Sequence, residues 1–251
     1  MQFLFSKAGI VVLALAGLFV LERLFPAARA KESLNRLARN FSLAGLNFLV
    51  GPLIVLPLSQ FAAGHALGLR PAWWNMALDL VVLDLWIYAW HRLNHALPLL
   101  WRFHEVHHLD EMLDTSTALR FHFGEVVISA VVRAGVTWLL GVPFATVLVF
   151  ETLVVLAALF QHSNLKLPPA IERSLSLVIV TPSIHWMHHH ARREDTDSNY
   201  ATILSVWDRI FLSISPHVRE LDMDMGVEGL HDQPLPRLIL RPFRRKRQTL
   251  K

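Results

Sequence analysis

Residues 76–108 read MALDLVVLDLWIYAWHRLNHALPLLWRFHEVHH. The first half of this stretch is apolar apart from Asp79 and Asp84, and its length approaches the ~20 residues that a membrane-crossing helix needs. The second half carries the histidine motifs HRLNH and HEVHH. Residues four apart share one face of a helix, so the pair in HRLNH can direct two imidazoles at one metal ion. The stretch therefore predicts a membrane helix that ends at a metal site.

Three further apolar stretches flank this helix, at residues 3–21, 43–63 and 126–160. The last is long enough for two crossings and is broken by Gly141-Val142-Pro143, which predicts a helical hairpin. Of the 251 residues, 53% are hydrophobic and 18% are charged, against roughly 25% charged residues in an average soluble domain. We expect an all-α integral membrane protein with about four to five transmembrane helices and a histidine-rich cytoplasmic helical cap.

Basic residues set the expected orientation in the membrane. Positively charged loops stay in the cytoplasm, and one loop contains Arg23, Arg29, Lys31, Arg36 and Arg39. Residues 90–123 and the chain after residue 160 are then cytoplasmic as well. Of the basic residues behind the net charge of +4, six lie in the tail at 241–251. We expect that tail either to contact anionic lipid headgroups, in preference to nucleic acid, or to be a solvated terminus.

The histidines carry the chemical signal. The chain has no cysteine, which excludes disulfides, thiolate metal sites and thiol catalysis. Eleven of its 14 histidines lie between residues 91 and 190, at or beyond the predicted cytoplasmic face. One HxxxH and two HxxHH motifs give more imidazoles at ligand spacing than the three that a catalytic zinc uses, so we expect two ions. The candidate ligands are His91, His95, His104, His107, His108, His185, His188 and His189.

Other polar residues are placed to support or extend this set. Asp84 lies on one helical stripe with Tyr88, His91 and His95. We expect its carboxylate to accept the second ring N–H of a ligating histidine, the alternative being a stripe of satisfied polar residues inside a bundle. Two additional candidate ligands are the lone His162 and His122, the latter with Glu125 three residues later.

Two other classes of function fit parts of the pattern. HEVHH also matches the H-E-x-x-H motif of zinc proteases, with His104 and His108 as ligands and Glu105 as general base, which would make an intramembrane metalloprotease. That interpretation gives the other histidine motifs no role. A non-enzymatic metal-binding or transport protein is the third class. It would need more polar groups across the membrane than Asp79, Asp84, Arg133 and Glu151.

Taken in order, HRLNH, HEVHH, RFHFGE, FQHSN, TPSIHWMHHH and DSNYATILSVWDRIF resemble the fatty acid hydroxylase superfamily, in particular its bacterial sterol-desaturase-like branch, over residues 79–211. The family consists of membrane-integral, non-haem di-iron enzymes that use O2 and electrons from NAD(P)H to hydroxylate, desaturate or oxidatively cleave lipids. The resemblance implies two iron ions, held by the eight histidines above and by His162. It also implies a sterol, fatty acyl or related lipid substrate from the bilayer.

The resemblance carries further expectations about partners and location. It implies a separate electron donor, such as a ferredoxin, a cytochrome b5-like protein or a reductase. We expect the protein in the bacterial inner membrane, with the active site on the cytoplasmic side that the basic loop indicates. We expect residues 1–75 to form the N-terminal transmembrane helices and basic loop, residues 76–215 the catalytic domain, and residues 216–251 a polar, basic cytoplasmic tail.

The chain departs from the family pattern at three positions. Some members have a second histidine four residues after the position of His162, where this chain has Lys166, and His122 is the residue that could compensate. Phe123 stands where members often have proline. The usual ending WDRxFGT reads WDRIFLS here. Asn199, Asp208 and Arg209 match the family pattern, and we expect them to support the ligands or the fold.

Overall fold

The structure is a computed structural model that describes residues 2–29, 33–69, 71 and 74–244, with side chains from Lys7 onward. Helices dominate these residues, and strand pairing within the described ranges is limited to isolated bridges. The expected all-α fold is therefore confirmed. Lys31 of the basic loop and residues 245–251 of the basic tail lie outside the described ranges.

Seven helices form the part of the chain that carries the apolar stretches. In order they are α1 (Gln2–Leu24), α2 (Leu34–Val50), α3 (Leu56–Gly64), α4 (Met76–Ala96), α5 (Pro98–His108), α6 (Phe123–Leu140) and α7 (Phe144–His162). Shorter helices follow: α8 (Pro169–Leu175), α9 (Pro182–His188), α10 (Arg193–Thr196), α11 (Val206–Ile210) and α12 (Leu235–Leu240).

Three helical segments in the described ranges are long and apolar enough to cross a membrane: Leu34–Gly64, α6 and α7. The first is α2 and α3 joined by a π-helical turn at Gly51–Val55, which contains Pro52. Large apolar side chains on this segment are exposed, for example Phe48 at 77%. The structure thus has helices of spanning length at the predicted second crossing and at the predicted hairpin.

The expected count of four to five crossings is not reached within the described residues. α4 forms a helix where predicted, but Asp79, Asp84 and Arg92 lower its apolar character, and it is not among the candidate spans. The predicted crossing at residues 3–21 lies in α1, whose first side chains are not described, and it stays a prediction.

Two local features set the directions of the long helices. Gly141 ends α6 at φ +76°, a left-handed conformation that glycine adopts without strain, and α7 starts after Pro143. A Cβ at Gly141 would come within 2.8 Å of the Gly68 backbone, so the close approach also requires glycine. Between α4 and α5 the chain turns at Leu97, and Pro98 starts α5. This corner places the two motif-bearing helices side by side.

The segment after residue 215 packs against the rest of the chain as far as the structure describes it. Leu238 of α12 is fully buried in a cluster with Leu43, Val106 and Leu109. Asp232 accepts hydrogen bonds from the guanidinium groups of Arg39 and Arg120. Residues 216–244 are thus docked on α2 and α5.

Candidate metal centre

The structure brings all nine histidines of the expected ligand set together in two buried groups. Group 1 consists of His91, His95, His104, His108 and His188, and group 2 of His107, His162, His185 and His189. Within each group, one ring nitrogen of every histidine lies within 4.8 Å of those of the others. This arrangement can hold two metal ions.

Helix geometry explains how the motifs divide between the groups. His91 and His95 are four residues apart on α4, and His104 and His108 are four residues apart on α5, so both pairs face group 1. His107 is turned away from that face and belongs to group 2. The first HxxHH motif thus gives two histidines to group 1 and one to group 2. The second motif, at the end of α9, gives His188 to group 1, and His185 and His189 to group 2.

The ring nitrogens that face the centre of each group have the arrangement expected of metal ligands. In group 1 the Nε2 atom of His104 lies 3.1 Å from Nε2 of His91 and 3.2 Å from Nε2 of His108. In group 2 the Nε2 atom of His162 lies 3.0 Å from Nε2 of His107 and 2.9 Å from Nε2 of His185. Buried polar atoms normally have hydrogen-bond partners. Several buried ring nitrogens here have none, among them His95 Nε2, His188 Nε2 and both nitrogens of His189.

The opposite ring nitrogens are held by hydrogen bonds to the protein. Nδ1 of His91 donates to the Tyr200 carbonyl at 2.8 Å, and Nδ1 of His188 donates to the Ser198 carbonyl at 2.6 Å. His162 Nδ1 donates to the carbonyl of Ala158 at 2.7 Å. An imidazole that donates from Nδ1 presents an unprotonated Nε2 toward the centre, as metal ligation requires.

Burial also keeps these imidazoles neutral. Burial, reinforced by neighbouring imidazoles, holds the pKa of His107, His108, His185 and His189 well below that of free histidine. Burial lowers the pKa of His188 to about 3. Uncharged imidazole is the form that binds a metal ion, so the groups are ready to ligate at physiological pH.

Of the three carboxylates that we expected to support the site, Asp84, Glu125 and Asp208, only Glu125 contacts a histidine of either group. Its Oε1 accepts from Nδ1 of His104 at 2.8 Å, and the side chain is buried. The hypothesis that Asp84 orients a histidine is wrong. Asp84 accepts instead from the backbone N–H groups of Ile203 and Leu204 and from the indole of Trp207.

Asp208 and Asn199 shape the loop that the ligands contact. The Asp208 carboxylate accepts from the backbone N–H groups of Tyr200 and Ala201, which fixes the carbonyl that His91 contacts. Asn199 adopts φ +51°, donates to the Ile184 carbonyl and accepts from the Ser215 N–H. Both residues therefore support segments that contact or carry the clustered histidines, without joining either group.

His122 does not complete a group. Its Nδ1 accepts from the Gly124 N–H at the start of α6, and its Nε2 donates to the Ile239 carbonyl. Group 2 contains four histidines although position 166 is a lysine. The backbone N–H of Lys166 donates to the Phe25 carbonyl. The suggested compensation by His122 is therefore unnecessary.

The sequence did not single out the backbone groups that hold the ligands. The carbonyls of Tyr200, Ser198 and Ala158 are acceptors that any residue type could supply, so no pattern of side chains could have revealed them. Asp197 was also missed: its carboxylate lies 3.3 Å from Nδ1 of His95. It stands beside the ligand-supporting Asn199 in the DSNY motif, which was the available signal.

The protease interpretation fits this geometry poorly. Oε2 of Glu105 accepts from Nε of Arg241 at 2.7 Å, in a pair where the glutamate is 1% exposed. His104 and His108 share their group with three further histidines. A general base needs access to a metal-bound water, whereas this carboxylate is engaged by an arginine of the C-terminal segment.

Comparison with known proteins gives a consistent answer. A family model described as fatty acid hydroxylase matches residues 76–213. The ornithine lipid hydroxylase of Rhizobium tropici is 28% identical over 199 residues, 78% of this chain and 59% of that protein. Alkylglycerol monooxygenase of Danio rerio is 34% identical over 151 residues, 57% of this chain and 31% of that protein. No solved structure matches the chain.

A cholesterol 25-hydroxylase-like protein of Danio rerio is 30% identical over 169 residues, which are 64% of each chain. The chain thus spans between about one third and two thirds of the length of these relatives. The family match covers more than half of the chain and includes every histidine of groups 1 and 2. This chain belongs to the fatty acid hydroxylase family.

Proposed function

We propose that the protein is an O2-dependent lipid hydroxylase or desaturase with a di-iron centre. The observation that carries the proposal is the pair of buried histidine groups, with five and four members, on converging helix ends. Several inward ring nitrogens have no hydrogen-bond partner, and others face only a neighbouring imidazole. Several outward ring nitrogens are fixed by hydrogen bonds. Imidazole suits iron among several metals, and membership of the family favours iron.

In this proposal group 1 holds one iron and group 2 the other. When bound, the irons supply the redox chemistry that activates O2. The balanced reaction converts a C–H bond, O2, two electrons and two protons into C–OH and water. Desaturation instead removes two hydrogens and forms two waters. Eight of the nine histidines are buried and His91 is partly buried, so the chain largely shields the reaction from solvent, which an oxidising centre requires.

The relatives support a lipid substrate, because their names specify an ornithine lipid, an alkylglycerol and a sterol. All three are long or bulky apolar molecules with a polar group. We propose that the substrate of this chain comes from the bilayer and that the electrons come from a separate carrier, a ferredoxin, a cytochrome b5-like protein or a reductase.

We propose a bacterial inner membrane as the location, and the charge pattern supports a site on its cytoplasmic side. Arg36, at the start of α2, forms ion pairs with Asp110 and Asp114, which follow α5 closely. Arg39, one turn later, pairs with Asp232. The basic start of α2 therefore lies at the same end of the molecule as the histidine groups, and basic loop ends stay in the cytoplasm.

Isotope labelling tests the proposed reaction. Membranes that contain the protein are supplied with an electron-transfer system, 18O2 and separate ornithine lipid, alkylglycerol, sterol and fatty acyl substrates. Mass spectrometry should show either a product with a single labelled oxygen or a product that has lost two hydrogens. The His188→Ala variant should form neither. Iron-loaded protein that oxidises none of these lipid classes, while the electron donor reduces its iron, would contradict the proposal.

A further inference from the structure

Two segments of the cap, residues 171–180 and 203–214, form one unit, which we call the apolar lobe. The backbone N–H of Val180 donates to the Ile203 carbonyl at 3.0 Å, and that of Ser205 donates to the Val178 carbonyl at 3.1 Å. The Arg209 guanidinium donates to the carbonyls of Ser176 and Leu177 at 2.7 and 3.1 Å. These bonds cross between the segments and fix them to each other.

The outside of the apolar lobe is unusually hydrophobic. The exposed fraction is 90% for Leu212, 65% for Leu177, 59% for Val178, 57% for Ile210 and 54% for Ile214. Soluble proteins rarely expose so many large apolar side chains together, and where they do, the patch is an interaction surface. None of these five residues takes part in the hydrogen bonds described for the histidine groups. The metal centre therefore does not explain why they are apolar.

The apolar lobe lies beside the part of α4 that precedes the histidines, and alongside the hairpin of α6 and α7. Asp84, which bonds Ile203, Leu204 and Trp207, precedes His91 by seven residues on α4, about 10 Å along the helix axis. Ile203 packs against the apolar cluster of Leu83, Val142, Val147 and Phe150. The last two belong to the half of α7 far from His162, so the lobe reaches membrane depth.

Leu212 adds an independent observation. Its φ of +54° is in the left-handed region, which is unfavourable for a residue with a Cβ and which glycine adopts freely. The side chain is nevertheless a leucine and is almost wholly exposed. In water the exposed leucine side chain gives no free energy to offset the unfavourable backbone conformation. In contact with lipid acyl chains, the same side chain is in an apolar environment that favours it.

We propose that the apolar lobe is immersed in the bilayer leaflet nearer the histidine groups, where these side chains contact lipid acyl chains. The continuity of the lobe with α4 and the α6–α7 hairpin selects the lipid over a protein partner. The ionisable groups of the lobe are consistent with immersion, because their polar atoms have protein partners. Asp208 is buried and accepts from backbone N–H groups, and Arg209 donates to backbone carbonyls. Glu172 and Arg173, on α8, are left for the headgroup region.

The cysteine-free sequence allows a direct test of depth. Leu177→Cys and Leu212→Cys variants are made singly, labelled with a nitroxide and reconstituted as full-length protein in lipid vesicles. Phe48→Cys, 77% exposed on α2, is the lipid-facing control, and His231→Cys, with its side chain 94% exposed, is the water-facing control. Spin-relaxation measurements then compare collision with oxygen, which concentrates in lipid, and with a water-soluble nickel chelate.

We expect both lobe labels to resemble Phe48→Cys, with an oxygen-to-nickel accessibility ratio several-fold above that of His231→Cys. Labels that resemble His231→Cys would place the lobe in water and overturn the proposal. Protection from both reagents would show that a protein, for instance a second copy, covers the lobe, and it would overturn the proposal as well. Two labelled positions on separate segments keep the test decisive if one variant fails to fold.

Discussion

The nine clustered histidines differ in what holds the ring nitrogen that faces away from the cluster. His91, His188 and His162 donate to backbone carbonyls, whereas His104 donates to the carboxylate of Glu125. A carboxylate acceptor increases the basicity of the imidazole and fixes its tautomer. Glu125 is therefore the side chain outside the two groups whose removal should affect metal binding most directly.

Glu125→Ala should weaken iron binding by about 10–100-fold, because the His104 ring loses its orienting acceptor. Chelator competition followed by iron analysis measures the change. Glu111→Ala is the matched control, because Glu111 accepts from the exposed His231, and it should leave iron binding unchanged. Equal iron retention in the two variants would show that Glu125 has no orienting role.

Glu105→Gln distinguishes the oxygenase from the protease. The change leaves Arg241 without its ion-pair partner, so the free energy of unfolding should fall by about 1–3 kcal/mol. Lipid oxidation should persist, since Glu105 lies outside both histidine groups. The double variant Glu105→Gln/Arg241→Gln should recover part of the stability. Loss of all activity in a folded, metal-loaded Glu105→Gln variant would favour the protease.

At the scale of elements, the polar stripe of α4 binds the helix to one segment of the cap. Asp84 bonds the 203–207 region, Tyr88 bonds Ser213, His91 bonds Tyr200 and His95 lies by Asp197. The stripe was visible in the sequence. Its partners were not, because they are backbone groups and side chains more than 100 residues away. One cap segment, residues 197–213, covers the whole stripe, which explains how α4 tolerates it.

A charged trio links three of the long helices. Glu151 of α7 accepts from Lys7 of α1 at 2.8 Å and from Arg133 of α6 at 2.6 Å. Glu151 is eleven residues before His162, about 16 Å along the helix axis and thus near the middle of a bilayer about 30 Å thick. Charges at this depth are costly unless they are paired.

Glu151→Gln should therefore destabilise the protein by about 2–4 kcal/mol, because two cations lose their counter-ion in an apolar environment. Unfolding in bicelles measures the effect. The neighbouring Thr152→Ala, which removes a hydrogen bond within α7, should change stability by much less. Equal stability of Glu151→Gln and wild type would mean that the trio is solvated rather than embedded.

At the scale of the whole molecule, the sequence predicted the helical class, the hairpin and the set of nine histidines that come together. It could do so because helical spacing fixes which histidines share a face and because apolar length is a local property. It did not predict how the ligands divide between two groups, which depends on how α4, α5, α7 and α9 converge. The contacts of Asp232 and Leu238 with distant elements also left no local pattern in the sequence.

The metal content of the purified protein tests the account most directly. We expect about two irons per wild-type chain, since the nine histidines form two ligand groups. His189→Ala, which leaves group 2 with three histidines, should retain about one iron. His188→Ala should lower the iron content, and His231→Ala should match wild type. One zinc per chain that depends only on His104 and His108, or unchanged iron in His188→Ala, would contradict the account.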